Sequence, residues 1–234
     1  MTIPFTDSEL EALMARPICR LLTAADRKSI AGTHVMITGA GGSIGSELCR
    51  QIARCQPARL ILVDHSELNL FQIERELQQV APAVPLDVVL GDVSRRVVVN
   101  AIRASRPHVI YHAAAYKHVT MAERAVCASV ETNVIGTAVV AGAARDVGAR
   151  FVLISSDKAV RPTSMMGAAK RIAERVITEL PRSQTTFVAV RFGNVLDSSS
   201  SVIPLFKRQI AEGGPITVTT PDMRRFFMTI PEAV

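Results

Sequence analysis

The sequence predicts a doubly wound α/β protein, a parallel sheet followed by a small C-terminal lobe that stops short. Three observations predict it. From residue 34 onward, short apolar runs alternate with longer helical stretches, the rhythm of parallel strands joined by crossover helices. Hydrophobic residues make up 48% of the 234, but aromatics only 4%. Ala, Val and Ile therefore fill the core, which suits buried parallel strands under small-residue helices. Finally, a glycine-rich turn at 39–45 joins the first strand to the first long helix.

The elements follow in order. Residues 1–32 read as a helix and linker, with Ser8 capping a helix to Leu13 and Pro17 ending it. Strands are expected at 34–38, 59–63, 86–90, 108–112, 150–155 and 186–192. Helices are expected between them at 43–54, 67–80, 95–105, 128–147 and 164–180. The helix at 128–147 carries Thr132, Gly136, Ala138 and Gly142, small enough for close approach to a neighbour. Residues 33–192 thus form one domain. From 193 the rhythm changes to a Ser-rich loop at 197–201, a helix near 203–212, a Gly-Gly-Pro turn and a short strand at 216–219. Pro231 suits the first turn of a further helix, so 193–234 reads as the start of a second lobe that is cut off early.

Bulk properties exclude several functions. The net charge is +6, but the Lys and Arg residues are scattered and not interleaved with aromatics, so no nucleic-acid partner is expected. Cys19, Cys49, Cys55 and Cys127 form no C-x-x-C pair, so neither a metal site nor a disulfide framework is expected. Asp7, Glu9 and Glu11 exclude a signal peptide. The longest apolar stretch, 133–144, is too short to span a bilayer. A cytoplasmic protein with reduced thiols is the expectation.

The turn carries the first chemistry. Val35-Met36-Ile37-Thr38-Gly39-Ala40-Gly41-Gly42-Ser43-Ile44-Gly45 is a buried strand, a G-x-x-G-x-x-G turn and a helix start. Gly39 permits the tight turn, Gly42 admits a pyrophosphate to the backbone, and Gly45 lets the helix pack on the strand. The N–H groups of Ser43 and Ile44 and the helix dipole favour the phosphates. Asp64 ends the second strand, where a carboxylate accepts from the adenosine ribose. This is the pattern of a Rossmann dinucleotide site. Asp64-His65-Ser66 offers no cation for a ribose 2′-phosphate, which favours NAD over NADP. Asp92 and Val93 follow the third strand, within reach of the adenine. Ala113, Ala114 and Ala115 follow the fourth and leave room for a cofactor.

Longer motifs narrow the reading. T-G-A-G-G-S-I-G, H-A-A-A-Y-K-H-V, S-S-D-K-A-V-R-P-T-S-M-M-G-A-A-K and R-F-G-N-V-L followed by S-V-I-P-L-F resemble extended short-chain dehydrogenases. Among them the chain is most similar to bacterial UDP-N-acetylglucosamine 4,6-dehydratases of polysaccharide biosynthesis. The resemblance implies a lyase that oxidises C4 of a UDP-sugar with bound NAD, removes the C5 proton, expels the C6 hydroxyl and returns the hydride to C6. It implies Asp157 as acid at the C6 hydroxyl and Lys158 as base at C5, with a lowered Lys158 pKa. Lys170 would hold the nicotinamide ribose. The Tyr that short-chain dehydrogenases place four residues before this Lys is Met166 here, the mark of a subgroup. Ser156 would then bond the C4 hydroxyl. Lys117 and His118 would border the sugar. Asn194 and Arg225 would meet the diphosphate, and Val202, Ile203 and Pro204 the uridine. Larger relatives carry N-terminal membrane helices, and a homo-oligomer is expected. Two alternatives stay open, a nucleotide-sugar 4-epimerase and a non-catalytic protein that binds NAD or a nucleotide sugar.

Overall fold

The structure is a computed structural model that describes residues 6–19, 22–181, 185–196, 202–218, 220 and 222–234. In chain order, α1 (Asp7–Met14) and α2 (Ala24–Ile30) precede β1 (His34–Thr38), α3 (Ser43–Ala53), β2 (Arg59–Asp64), α4 (Glu67–Val80) and β3 (Leu86–Leu90). Then come α5 (Arg96–Ser105), β4 (Val109–His112), α6 (Val119–Arg124), α7 (Val126–Val130), a π-helical turn (Glu131–Gly136) and α8 (Thr137–Val147). β5 (Arg150–Ser156), a 3-10 turn (Asp157–Ala159), α9 (Met165–Glu179) and β6 (Phe187–Phe192) follow. The chain ends with β7 (Asn194–Val195), α10 (Val202–Ala211), β8 (Phe227–Met228) and α11 (Ile230–Ala233).

Six strands form one sheet in the order β3-β2-β1-β4-β5-β6. β1 pairs in parallel with β2 and β4, β2 with β3, and β4 with β5. The order reverses between β1 and β4, so the carboxyl ends of these strands open a crevice, the place where such sheets bind ligands. Side-chain alternation builds both faces. Met36, Ile61, Val63, Phe151 and Leu153 form one core with Val98, Ile102, Val140, Ala144, Ala173 and Ile177 of α5, α8 and α9. The intervening Val35, Ile37, Leu60 and Leu62 are equally buried, on the face that α3 and α4 cover. Each such side chain contributes roughly 1.5–3 kcal/mol.

Sequence and structure part at several points. The first helix is capped by Thr6, not Ser8. Thr6 and Glu9 form a capping box, the Glu9 N–H donating to Thr6 Oγ1 at 3.3 Å and the Thr6 N–H to Glu9 Oε2 at 2.7 Å. The expected strand at 216–219 is absent over 216–218, and Thr219 lies outside the described residues. The strands of that region are β7 and β8, which pair in parallel. The Ser-rich loop at 197–201 also lies outside the described residues. The apolar helix is longer than its 133–144 core: Val126–Val147 runs 22 residues and contains an 18-residue window with a mean hydropathy of 1.4, enough by length and composition to cross a membrane. Its inner face is nonetheless core, with Val140, Ala141 and Ala144 buried and Asn133 and Thr137 hydrogen-bonded inside the protein. Polar groups so satisfied mark the core helix of a folded domain.

Two compact units emerge, Thr23–Arg191 and the pair of segments Met1–Leu22 with Phe192–Val234. The second unit joins the two ends of the chain. Arg16 bonds both carboxylate oxygens of Glu232 at 2.7 and 3.2 Å and the Phe227 carbonyl at 3.0 Å. The Cys19 N–H donates to Glu232 Oε1 at 2.8 Å. Glu232 also closes the capping box of α11 with Thr229. These bonds hold its carboxyl down at about 2.

Candidate active site

The glycine turn is built by contact. Gly39 has φ +68, and a Cβ there would stand 2.7 Å from Ala114 backbone atoms. A Cβ on Gly45 would lie 1.8 Å from the Gly39 carbonyl, so only glycine lets α3 start this close to β1. Gly42 is different, because a Cβ there would meet only the Gly39 carbonyl at 3.3 Å. As the N-cap of α3 it supplies no side-chain cap bond, and its open side is where a pyrophosphate could approach. Asp64, 5% exposed, accepts from the Gly41 N–H through Oδ2 and the Ser66 N–H through Oδ1, both at 2.9 Å. The carboxylate is thereby fixed with lone pairs left for further donors.

A cleft opens above this turn. Gly39, Gly42, Asp64, His65, Asp92, Val93 and Ala113 to Ala115 line it, with Asn69, Gly91, Tyr116 and Thr132. Asp92 is held by Ser94, whose N–H and Oγ both donate to Oδ1 at 2.8 and 2.7 Å. His65 and Tyr116 meet edge to face with centroids 6.2 Å apart. The four chain segments at the strand ends thus share one cleft, with backbone N–H groups at the glycine turn and the Asp64 carboxylate at the end of β2, where this fold places its ribose-binding acid. The residues present fit a dinucleotide.

Next in the chain to the cleft residues Gly39, Ala113 and Thr132 lie buried residues that sequence reasoning missed. His112, fully buried, shares hydrogen bonds with Thr38 Oγ1 at 2.7 Å through Nδ1 and with Thr137 Oγ1 at 3.1 Å through Nε2. Thr137 Oγ1 donates to the Asn133 carbonyl at 2.8 Å, so it accepts from His112 Nε2–H. Nδ1 then accepts from Thr38, which in turn accepts the Ala114 N–H at 3.5 Å. Burial, with the nearby Lys170 cation adding to it, pulls the imidazole down to about 3, so it is neutral. On the π turn, the Asn133 side chain clamps the backbone of Tyr116, accepting its N–H at 2.8 Å and donating to its carbonyl at 2.9 Å. Sequence held one signal for this network, a His ending an apolar run.

The second cluster stands at the carboxyl end of β5. Ser156 Oγ donates to Asp157 Oδ1 at 2.9 Å and accepts the Lys158 N–H at 3.3 Å. Lys158 Nζ donates to the same Asp157 oxygen at 3.1 Å. Burial works to raise the Asp157 pKa, but the bonds from Lys158 and Ser156 outweigh it, so the carboxyl lies below its usual range and is ionised. Ser164 caps α9 through the Gly167 N–H at 3.2 Å. A Cβ on Gly167 would come within 2.5 Å of the Lys158 carbonyl, so this glycine lets α9 press against the 3-10 turn. Met166 and Lys170 follow on α9, 5% and 6% exposed. Lys170 Nζ donates to the Ile154 carbonyl at 2.9 Å, and burial lowers its pKa to about 8 against the opposing pull of Glu174.

The remaining expected residues divide between the units. Lys117 and His118 are exposed at the start of α6, next to Tyr116. Asn194, Val202, Ile203, Pro204 and Arg225 belong to the other unit. There the Asn194 N–H pairs with the Phe226 carbonyl, Val202 to Pro204 open α10, and Arg225 is exposed with Nη1 on the Arg224 carbonyl at 2.8 Å. Among the described residues no cluster of metal ligands occurs.

Residues 35–234 match the family described as polysaccharide biosynthesis protein. The chain belongs to this family. It is an extended short-chain dehydrogenase/reductase that is similar to nucleotide-sugar dehydratases. Among relatives, the probable polysaccharide biosynthesis protein EpsC of Bacillus subtilis is 49% identical over 231 residues, 97% of this chain and 39% of EpsC. The chain therefore spans about two fifths of that relative. The structure of Pen from Bacillus thuringiensis is 36% identical with a TM-score of 0.81, over 87% of this chain and 65% of Pen. The fold also matches UDP-glucose-4-epimerase of Stenotrophomonas maltophila, with bound NAD and formylated UDP-arabinopyranose, at a TM-score of 0.70 and 19% identity, over 85% of this chain and 70% of that one.

Proposed function

We propose that this polysaccharide-biosynthesis family chain carries the catalytic domain of a UDP-N-acetylglucosamine 4,6-dehydratase that uses NAD, in the cytoplasm and as a homo-oligomer. The observation that carries the reading is the Ser156-Asp157-Lys158 cluster at the end of β5, with Met166 where the fold's usual Tyr would stand. An epimerase needs one group to move the C4 hydroxyl proton. A dehydratase needs in addition an acid for the C6 hydroxyl and a base for C5, and two adjacent ionisable side chains supply that pair.

The cofactor would lie along the cleft, its pyrophosphate at Gly42, Ser43 and Ile44, its ribose on Asp64 and its adenine near Asp92 and Val93. The absence of a cation in Asp64-His65-Ser66 favours NAD over NADP. When bound, it supplies a reversible two-electron acceptor for C4. Lys170, with donors beyond the one on Ile154, would orient the nicotinamide ribose.

The acid and the base emerge together. As they stand, Asp157 is a carboxylate and Lys158 its ammonium partner. A proton passing along the 3.1 Å bond from Nζ to Oδ1 leaves Asp157 protonated and Lys158 neutral. Each is then in the form its role requires, and exclusion of water by a bound sugar favours this uncharged pair. Lys158 takes the C5 proton, Asp157 protonates the departing C6 hydroxyl, and water leaves. Ser156 bonds the C4 hydroxyl, whose proton would leave through Asp157, Lys158 or water as C4 is oxidised, and the ammonium formed on Lys158 would give its proton back to C5 as the hydride returns to C6. Lys117, His118, Asn194, Val202 to Pro204 and Arg225 would bind the sugar nucleotide.

The test is incubation with UDP-N-acetylglucosamine, followed by mass and NMR. A product lighter by one water with a C6 methyl group is expected. A product of equal mass, epimeric at C4, overturns the reading in favour of an epimerase, and binding without turnover overturns it in favour of a non-catalytic protein.

A further inference from the structure

Glu174 lies one helical turn beyond Lys170 on α9 and is 6% exposed. Its Oε1 accepts from Ser155 Oγ at 2.6 Å and from Arg191 Nε at 2.8 Å, and Oε2 accepts from Arg191 Nη2 at 2.6 Å. Ser155 belongs to β5 and Arg191 to β6, so one carboxylate ties three elements together. The Lys170 ammonium is anchored beside it on the Ile154 carbonyl at 2.9 Å. The two side chains of α9 therefore grip consecutive residues of β5, immediately before Ser156, Asp157 and Lys158.

A buried ammonium needs a balancing charge. Among the described residues no carboxylate lies within 4.0 Å of Lys170 Nζ in an ion pair. The elements around α9 also bring His112, Asp157, Lys158, Glu123, Glu131 and Arg191. His112 is neutral. Asp157 is paired with Lys158, Glu131 with Arg95, and Glu123 accepts the Met165 N–H. That leaves Glu174 as the carboxylate whose charge favours the ammonium. Arg191, in bidentate contact, and Arg171, with Nη1 3.7 Å from Oε2, oppose it by offsetting part of the field of Glu174.

We propose that Glu174 is a positioning residue: gripped by Ser155 and Arg191, it fixes α9 on the end of β5 and supplies the tunable counter-charge that keeps the buried Lys170 an ammonium. Its catalytic meaning rests on the proposed contact of Lys170 with the nicotinamide ribose, but the arrangement itself does not.

Two variants move the lysine in opposite directions. Glu174→Gln keeps the shape and removes the charge, so Lys170 titrates about one pH unit or more lower. Arg191→Gln releases the Glu174 field, so Lys170 titrates higher. Glu174→Asp keeps the charge and restores the titration toward that of the parent. The readout is NMR of the protein labelled with 13C at the lysine ε-carbon, with the Lys170 signal assigned by its loss in Lys170→Met. Opposed shifts in folded Glu174→Gln and Arg191→Gln support the proposal. An unmoved signal in either folded variant, or shifts of one sign in both, overturns it. If Glu174→Gln fails to fold, Arg191→Gln and Glu174→Asp decide, and a Lys170 signal that is not raised in Arg191→Gln overturns it. The titration needs no turnover, so a protein that makes no product from UDP-N-acetylglucosamine fails the functional reading and leaves this result standing on its own.

Discussion

At the scale of single residues, two buried titratable groups cost stability, and the sign of each fixes a prediction. Lys170 has a folded pKa of about 8 against 10.5 ordinarily. Below pH 8 it is charged in both folded and unfolded chains, so its burial penalty applies in full. The penalty fades as pH rises from 8 to 10.5. It amounts to about 3 kcal/mol, offset in part by the bond to Ile154. Lys170→Met is therefore expected to raise Tm at pH 7 by several degrees while abolishing turnover, as read by calorimetry and the product assay. His112 has a folded pKa of about 3 against 6.5. Unfolded chains bind the extra proton between these values, so stability falls as pH drops from 6.5 to 3, by about 5 kcal/mol in all. His112→Asn should lose about 1–3 kcal/mol at pH 7 with the Thr38 and Thr137 bonds, yet show a flatter decline in acid, measurable by denaturant titration at pH 7 and pH 4.5.

At the scale of elements, contact between α9 and the 3-10 turn positions Asp157 and Lys158, the proposed acid and base. Gly167→Ala places a methyl group 2.5 Å from the Lys158 carbonyl, and the turn must yield because helical alanine is otherwise favoured. Turnover is expected to fall on the order of 100-fold, the cost of displacing reacting groups by about an ångström. NAD affinity should hold, because Gly39 to Gly45 and Asp64 are untouched. Calorimetric NAD titration beside steady-state rates separates the two. Strands and long helices were legible because their apolar period is strong, and the glycine turn because its spacing answers one geometry. The His112 network, the Asn133 clamp and the grip of Glu174 were not. Each depends on side chains from distant strands meeting, such as Thr38 with His112 and Ser155 with Arg191, and no local pattern marks those pairs. The strand expected at 216–219 failed for the related reason that β7 and β8, two residues each, carry no period to read.

At the scale of the whole molecule, the chain's two ends meet in one unit through Arg16 and Glu232. Glu232 is held at about 2 against 4.5 ordinarily, so its contribution is present above pH 4.5 and is lost as pH falls toward 2. Arg16→Ala should loosen the first helix and α11 together and leave Thr23–Arg191 unchanged. Limited proteolysis is expected to cut the variant faster before residue 23, with protection of the larger unit equal in both proteins. Cleavage at the parent rate would show that the Arg16 contacts do not hold the segment.

The π turn at Glu131–Gly136 acts on the molecule as a vernier. Each residue of a regular helix advances the side-chain direction by about 100°, so one surplus residue lets α7 and α8 keep separate angular settings on a single axis. α8 is dialled so that Val140 and Ala144 meet the sheet, and the turn before it so that Asn133 reaches Tyr116 at the cleft mouth. Removing one residue there would leave a regular α-helix turned out of phase with one of its two duties.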